Sequence, residues 1–301
     1  MKQAVDLGVQ YQNCYSFGDI DAAYFEEQAE AVMAKLEGEE DIAFSIAAIG
    51  DASQCEDAFE AIPVEDREDF LETCREADAS VSFSSSGQEF ILIKTDKEFL
   101  LEEPTALRGL LAHELMHTVQ RDDDLGQRIE DAAKRHEDEM IGTLREAGVS
   151  DPEINRFIHT VFQTAIFTLK DLFTNRDLIN QGFVEELEAY YHHMLGMDSF
   201  CPAPGFYGEE ASVAEIQDAL TFELGLLPAW LPFQALERDR LEAIRQRIEE
   251  CYEEDIPRVA EYVHALEDLY AEEMDDPEAF MDAYFSQLID HAASLMEDVN
   301  Q

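Results

Sequence analysis

The stretch from Leu110 to Val119 constrains this chain more than any other. It reads Leu110-Leu111-Ala112-His113-Glu114-Leu115-Met116-His117-Thr118-Val119. Apart from His113, Glu114 and His117 it holds no charge, and it holds no proline. Apolar positions 107, 110, 111, 115 and 119 follow a helical period, which predicts a buried or half-buried helix. Pro104 suits its first turn, with Glu102 and Glu103 near the positive end of the helix dipole. Arg121 suits its last turn. Histidines four residues apart on a helix lie one turn apart on the same face. Polar side chains on the inner side of such a helix need partners. A shared metal ion provides one, since both imidazoles can reach a zinc at about 2.0–2.1 Å.

Glu114 follows His113 directly, so it stands beside such a metal rather than on it. From there it can take a proton from a metal-bound water and pass it to a leaving amine, which is peptidase chemistry. Catalytic zinc usually takes three protein ligands. Position 120 is Gln and position 123 is Asp, so no third histidine completes an H-E-x-x-H-x-x-G-x-x-H pattern. Glu137 and Glu139 lie in His136-Glu137-Asp138-Glu139-Met140, which begins like the motif but ends in Met. That heavily charged segment is expected to face solvent. His159 lies among Phe157, Ile158, Val161 and Phe162 and is expected in the core. The stronger candidate for the third ligand is the amphipathic stretch 183–194. There Phe183, Leu187, Tyr190, Tyr191 and Met194 define the buried arc, and Glu185 points away from it. Glu186 and Glu188 flank the arc on opposite sides. Glu186 shares its side with Tyr190 and His193, which puts a carboxylate ligand next to two groups able to steady an oxyanion. Glu186 is the expected ligand, with Glu188 and Glu185 behind it.

Residues 110–119 resemble the active helix of the gluzincins, zinc peptidases that use two histidines and a glutamate. Glu186-Leu187-Glu188-Ala189 is similar to the E-x-x-A third-ligand motif of the gluzincin branch that includes CAAX-processing endopeptidases. In that branch the glutamate lies many tens of residues after the second histidine, as Glu186 does here. The branch usually has an aspartate after the alanine, where this chain has Tyr190. Asn180-Gln181-Gly182-Phe183 is similar to the N-E-G-F of aminopeptidase-type gluzincins, but with Gln181 in the ligand position. The resemblance covers about residues 89–195. It implies His113, His117 and Glu186 on zinc, Glu114 as general base, and a peptide or protein substrate.

Charge bounds the setting. Asp and Glu number 69 against 20 Lys and Arg, for a formal net charge of −49, yet 46% of residues are hydrophobic. The acids are spread along the chain. This pattern resembles halophilic archaeal proteins, whose acidic surfaces stay hydrated in concentrated salt. The Debye length there is about 3 Å, which screens self-repulsion. A surface this acidic argues against nucleic acid, which needs a basic face. The N-terminal residues lack the apolar run of a signal peptide. No stretch approaches 18 uncharged apolar residues, so no membrane span is expected. Cys14, Cys55, Cys74, Cys201 and Cys251 are widely spaced and odd in number, which fits reduced thiols and a cytoplasmic setting.

In chain order, helices are expected at 19–36, 53–61 and 65–77, and a strand at 41–49. Residues 81–83 and 89–94 read as a hairpin across Ser84-Ser85-Ser86-Gly87. Segment 89–94, just before the motif helix, is expected either as a core strand or as an edge that lines a cleft. Extended peptides add to such edges through backbone hydrogen bonds. Long helices follow at 125–147 and 152–173, with a break from Gly148 to Pro152. Further helices are expected at 209–225, 235–252, 256–272 and 277–297, the first two parted by Leu227-Pro228-Ala229-Trp230-Leu231-Pro232. Residues 201–205 are expected as a loop rimming the cleft. The expectation is an α+β, predominantly helical protein. A small N-terminal sheet packs on the motif helix and a helical bundle follows. Residues 1–200 form the zincin-like domain, and 201–301 a helical region that packs on it or dimerises. The expected activity is zinc-dependent peptide hydrolysis. The competing expectation is a zinc-binding but catalytically silent protein with a structural or regulatory role.

Overall fold

The computed structural model describes residues 10–17, 20–36, 43–62, 64, 67–76, 79–85, 88–96, 98–121, 124–196, 212–233, 246 and 256–299. The expected loop at 201–205 and nearly all of the expected helix at 235–252 lie outside these. The chain forms two compact units. One joins Met1–Asp123 to Arg176–His193, and the other joins Asp124–Asn175 to Met194–Gln301. The units therefore follow contacts rather than a single division near residue 200.

The first unit is built on a four-stranded sheet. Its elements are β1 (Gln10–Ser16), α1 (Ala22–Met33), β2 (Ala43–Ile49), α2 (Cys55–Ala61), α3 (Arg67–Glu76), β3 (Ser80–Ser85), β4 (Gln88–Lys94), α4 (Phe99–Glu102) and α5 (Pro104–Arg121). Strand order is β1-β2-β4-β3. β1 and β4 both run parallel to β2, and β3 runs antiparallel to β4. Parallel strands need crossovers, and α1 supplies the first. Asp21 starts that helix by accepting a hydrogen bond from the Ala23 amide at 3.0 Å, as an N-cap should.

The sheet is covered on both faces, so its inner strands read as continuous apolar runs. Phe90 and Leu92 pack with Ala47, Ile49, Phe70 and Leu71 on the α2–α3 side. Strand alternation sends Ile91 and Ile93 to the opposite face, where α1 and α5 pack. The segment 89–94 is therefore a core strand. β3 forms one edge of the sheet, and its serines give a weaker apolar signal.

After α5 come α6 (Leu125–Glu146), α7 (Asp151–Asn180) and α8 (Val184–Gly196). α7 runs longer than expected, and its last turns, from Arg176 on, belong to the first unit. Its end is made by Gly182 at φ +87°. There the Phe183 amide reaches back to Leu178 O at 3.0 Å, a left-handed stop suited to glycine. The turn delivers α8 beside α5. A Cβ on Gly109 would press into the Glu186 carbonyl and stand 3.0 Å from Tyr190 Cβ, so the two helices meet where α5 has no side chain.

The second unit is helical. α6, most of α7, α9 (Val213–Trp230), α10 (Ile256–Glu273) and α11 (Pro277–Val299) enclose a core that includes Phe157, Phe173, Phe280 and Phe285. α9 passes through Pro228 rather than breaking ahead of it. Proline lacks the amide that would bond the carbonyl four residues back. Thr168 Oγ1 supplies the missing donor, bonding Leu224 O at 3.0 Å. Asn175 Nδ2 in turn donates to Pro228 O at 3.0 Å.

Candidate metal centre

α5 is buried almost all round: Leu107, Leu110, Leu111, Ala112 and Leu115 are at most 1% exposed. His113 and Glu114 are buried as well, and His117 is half-buried. The two imidazoles stand nearly perpendicular, with ring centroids 4.5 Å apart. Their Nε2 atoms converge to 3.0 Å. Two nitrogens on one tetrahedral zinc, each about 2.05 Å away, lie about 3.3 Å apart. The pair is thus within a few tenths of an ångström of metal-ligand geometry.

A third donor comes from α7. His113, His117 and Asp171 each offer a ligand atom, and these atoms all lie within 4.8 Å of one another. A nitrogen, nitrogen and carboxylate-oxygen set of this kind could hold a metal ion. In the first unit the end of α7 is tied to α5, because Gln120 Nε2 donates to Asp177 Oδ2 at 2.9 Å.

Glu114 has a different partner. Ser80 Oγ donates to its Oε1 at 2.6 Å. Ser80 opens the edge strand β3, where Val81 and Phe83 pack on the α2–α3 side. Alternation therefore turns Ser80 and Ser82 toward α5. The general-base candidate is anchored by the strand rather than by a ligand position.

The glutamates of α8 fall elsewhere. Glu186 does not join the histidines: both of its oxygens accept from Lys35 Nζ at 2.9 Å. The same ammonium lies 4.4 Å from the Phe183 ring centroid. Glu185 is exposed and Glu188 half-buried. Lys35 sits just past α1 and is one of few lysines in the chain, so this pairing was invisible from α8 alone. Tyr190 does approach the pair, with its ring centroid 6.4 Å from that of His113. His193 stacks on Phe99 at 4.7 Å and pairs with Glu103. That places it at the start of α5, about 15 Å of helix before His113.

Two histidines outside the motif differ in setting. His159 is exposed rather than in the core. His136 is half-buried, with Nε2 3.3 Å from Asp282 Oδ1. The thiols also differ from expectation, because Cys55 and Cys74 form a disulfide. α2 and α3 pack against each other and bring their inward cysteines together, a tertiary effect that spacing does not reveal.

The sequence did contain a signal for Asp171. It is the single acidic residue between Glu153 and Asp177. In a chain this acidic, a lone carboxylate in an apolar helix is unlike ordinary surface charge. Glu114 is likewise the single acid of α5. Among the described residues, no helix is long and apolar enough to cross a membrane. No protein family, curated protein or solved structure matches the chain.

Proposed function

We propose that this chain is a zinc-dependent metallopeptidase in which His113, His117 and Asp171 hold the metal and Glu114 is the general base. The gluzincin-like E-x-x-A stretch then serves packing, with Glu186 neutralising Lys35. The observation that carries the reading is Glu114 itself. It is a buried carboxylate outside the three-donor set, and among the described residues no cation pairs with it. A structural metal site has no need of such a group.

When bound, the ion supplies Lewis acidity and an activated water. With the ion in place, Glu114 would be the group that accepts the proton of the attacking water and gives it to the amine nitrogen of the leaving group. Ser80 holds one oxygen of Glu114 and so leaves the other for proton transfer. Tyr190 offers its phenol to the developing oxyanion. His193, engaged with Glu103 and Phe99, steadies the start of α5 instead. The substrate is a peptide or protein, and the acid-coated surface suits work in concentrated salt.

A second reading keeps the metal and drops the catalysis. The Ser80 hydrogen bond favours it, since it satisfies Glu114 without any chemistry. Two experiments in high salt decide. Metal analysis is expected to give about one zinc per chain, lost in His113→Ala; no bound metal in the parent protein rejects both readings. Peptide-library cleavage is expected from the parent protein and not from Glu114→Gln, and equal signals from the two reject the peptidase.

A further inference from the structure

The second unit buries a polar cluster that the metal centre does not use. Glu223 on α9 is 1% exposed, and its Oε2 lies 2.7 Å from His291 Nε2 on α11. Tyr262 on α10 stacks flat on the His291 ring, with centroids 4.2 Å apart and planes within 5°. Tyr284 lies two turns before His291 on the same face of α11. Tyr262 and Tyr284 are 4% and 0% exposed. Neither hydroxyl has a hydrogen-bond partner among the described residues. Thr168 lies near Tyr284 and donates to Leu224 O, but its oxygen makes no hydrogen bond with the Tyr284 hydroxyl. Burial foremost, then the nearby Tyr284 and Glu223, push the Tyr262 phenol well above its usual range. Both phenols therefore stay protonated and keep a proton to donate.

Two buried hydroxyls without partners are costly in a well-packed core, and each such group needs an explanation. Apolar neighbours cannot supply it, and Glu223 and His291 already engage each other. A small molecule that both accepts and donates can. Buried waters do this, typically making about three hydrogen bonds to groups otherwise unsatisfied.

We propose that Tyr262, Tyr284, Glu223 and His291 form an internal binding site for ordered water in the helical unit, bridging the two phenols to the buried Glu223–His291 pair. The site links α9, α10 and α11 through polar contacts that have one good geometry, where apolar packing alone would permit several. It is independent of the metal-centre reading.

The test uses the full chain, its Tyr262→Phe and Tyr284→Phe variants, high-resolution crystal structures and thermal melts. Phenylalanine keeps the ring and removes only the hydroxyl, so both variants should fold. The expected result is water density at hydrogen-bond distance, about 2.7–3.0 Å, from at least one hydroxyl. That density should be lost in the corresponding variant, whose Tm falls by about 2–4 °C. The proposal is overturned if neither hydroxyl contacts water, or if a protein group from outside the described residues fills the position. It is equally overturned if both variants melt at or above the parent temperature, as removing a wasted hydroxyl would produce.

Discussion

Helices α5 and α6 each carry a His-Glu pair that opens the same pattern, yet they make opposite use of it. In α5 the histidines converge on one another, they belong to a group that could hold a metal ion, and Glu114 is the helix's single acid. In α6, His136 sits among charged neighbours and its acids look outward. Arg128 pairs with Glu278 at 2.6 Å and Arg135 with Asp282 at 2.8 Å, both from α6 to α11. Below them, Ile129, Ala132, Met140 and Leu144 carry the burial. The residue types are shared. What differs is whether the polar groups are buried with convergent partners or spread across a solvated face.

The sharpest way to break this contrast is to remove a donor. His117→Ala or Asp171→Asn is expected to take bound metal from about one ion per chain to little or none, read by elemental analysis after dialysis. Metal retained in both variants would falsify the three-donor set. Next comes the base. Glu114→Gln should keep the metal and lower peptide cleavage by about 10²–10⁴-fold, while His136→Ala on α6 should leave rate unchanged and cost about 1 kcal/mol of stability through its lost packing on Phe285. A comparable loss of rate from His136→Ala would erase the distinction between the helices. Gly109→Ala pushes a methyl into the backbone of α8 and is expected to cost about 1–3 kcal/mol by denaturant unfolding. A neutral result there would mean that α5 and α8 separate readily. The smallest effect belongs to Ser80→Ala. It should leave metal content untouched and reduce cleavage by about fivefold, the worth of about 1 kcal/mol of hydrogen bond. Metal loss in that variant would point to a collapsed site instead.

Much of this fold was legible because its elements carry strong periodicity. The motif helix, the 80–94 hairpin, the Gly148 break and the buried arc of α8 all follow from apolar spacing and turn residues. The errors share one physical origin: they concern which separate elements meet. The apolar run of β4 reflects two covered faces and so marks an interior strand, while the serine-rich β3 takes the edge beside it. Pro228 passes inside a helix because Thr168, some sixty residues away, repairs the lost hydrogen bond. Glu186 had the right face for a ligand but was claimed by Lys35. Asp171 lies outside any motif, and only its isolation from other acids sets it apart. Local acidity is the better guide: where carboxylates crowd, each is ordinary, whereas Asp171, alone in its stretch, joins a group that could hold a metal ion.

The Cys55–Cys74 bond has a practical consequence for handling the protein. It closes a loop that contains the whole connection between α2 and α3. A protease that cuts within that connection would leave the two fragments covalently joined. They would migrate as one band without reductant and as two with it. Loss of this layer from the sheet therefore requires two chemical events, a cleavage and a reduction, and an intact mass under oxidising conditions does not certify an intact backbone.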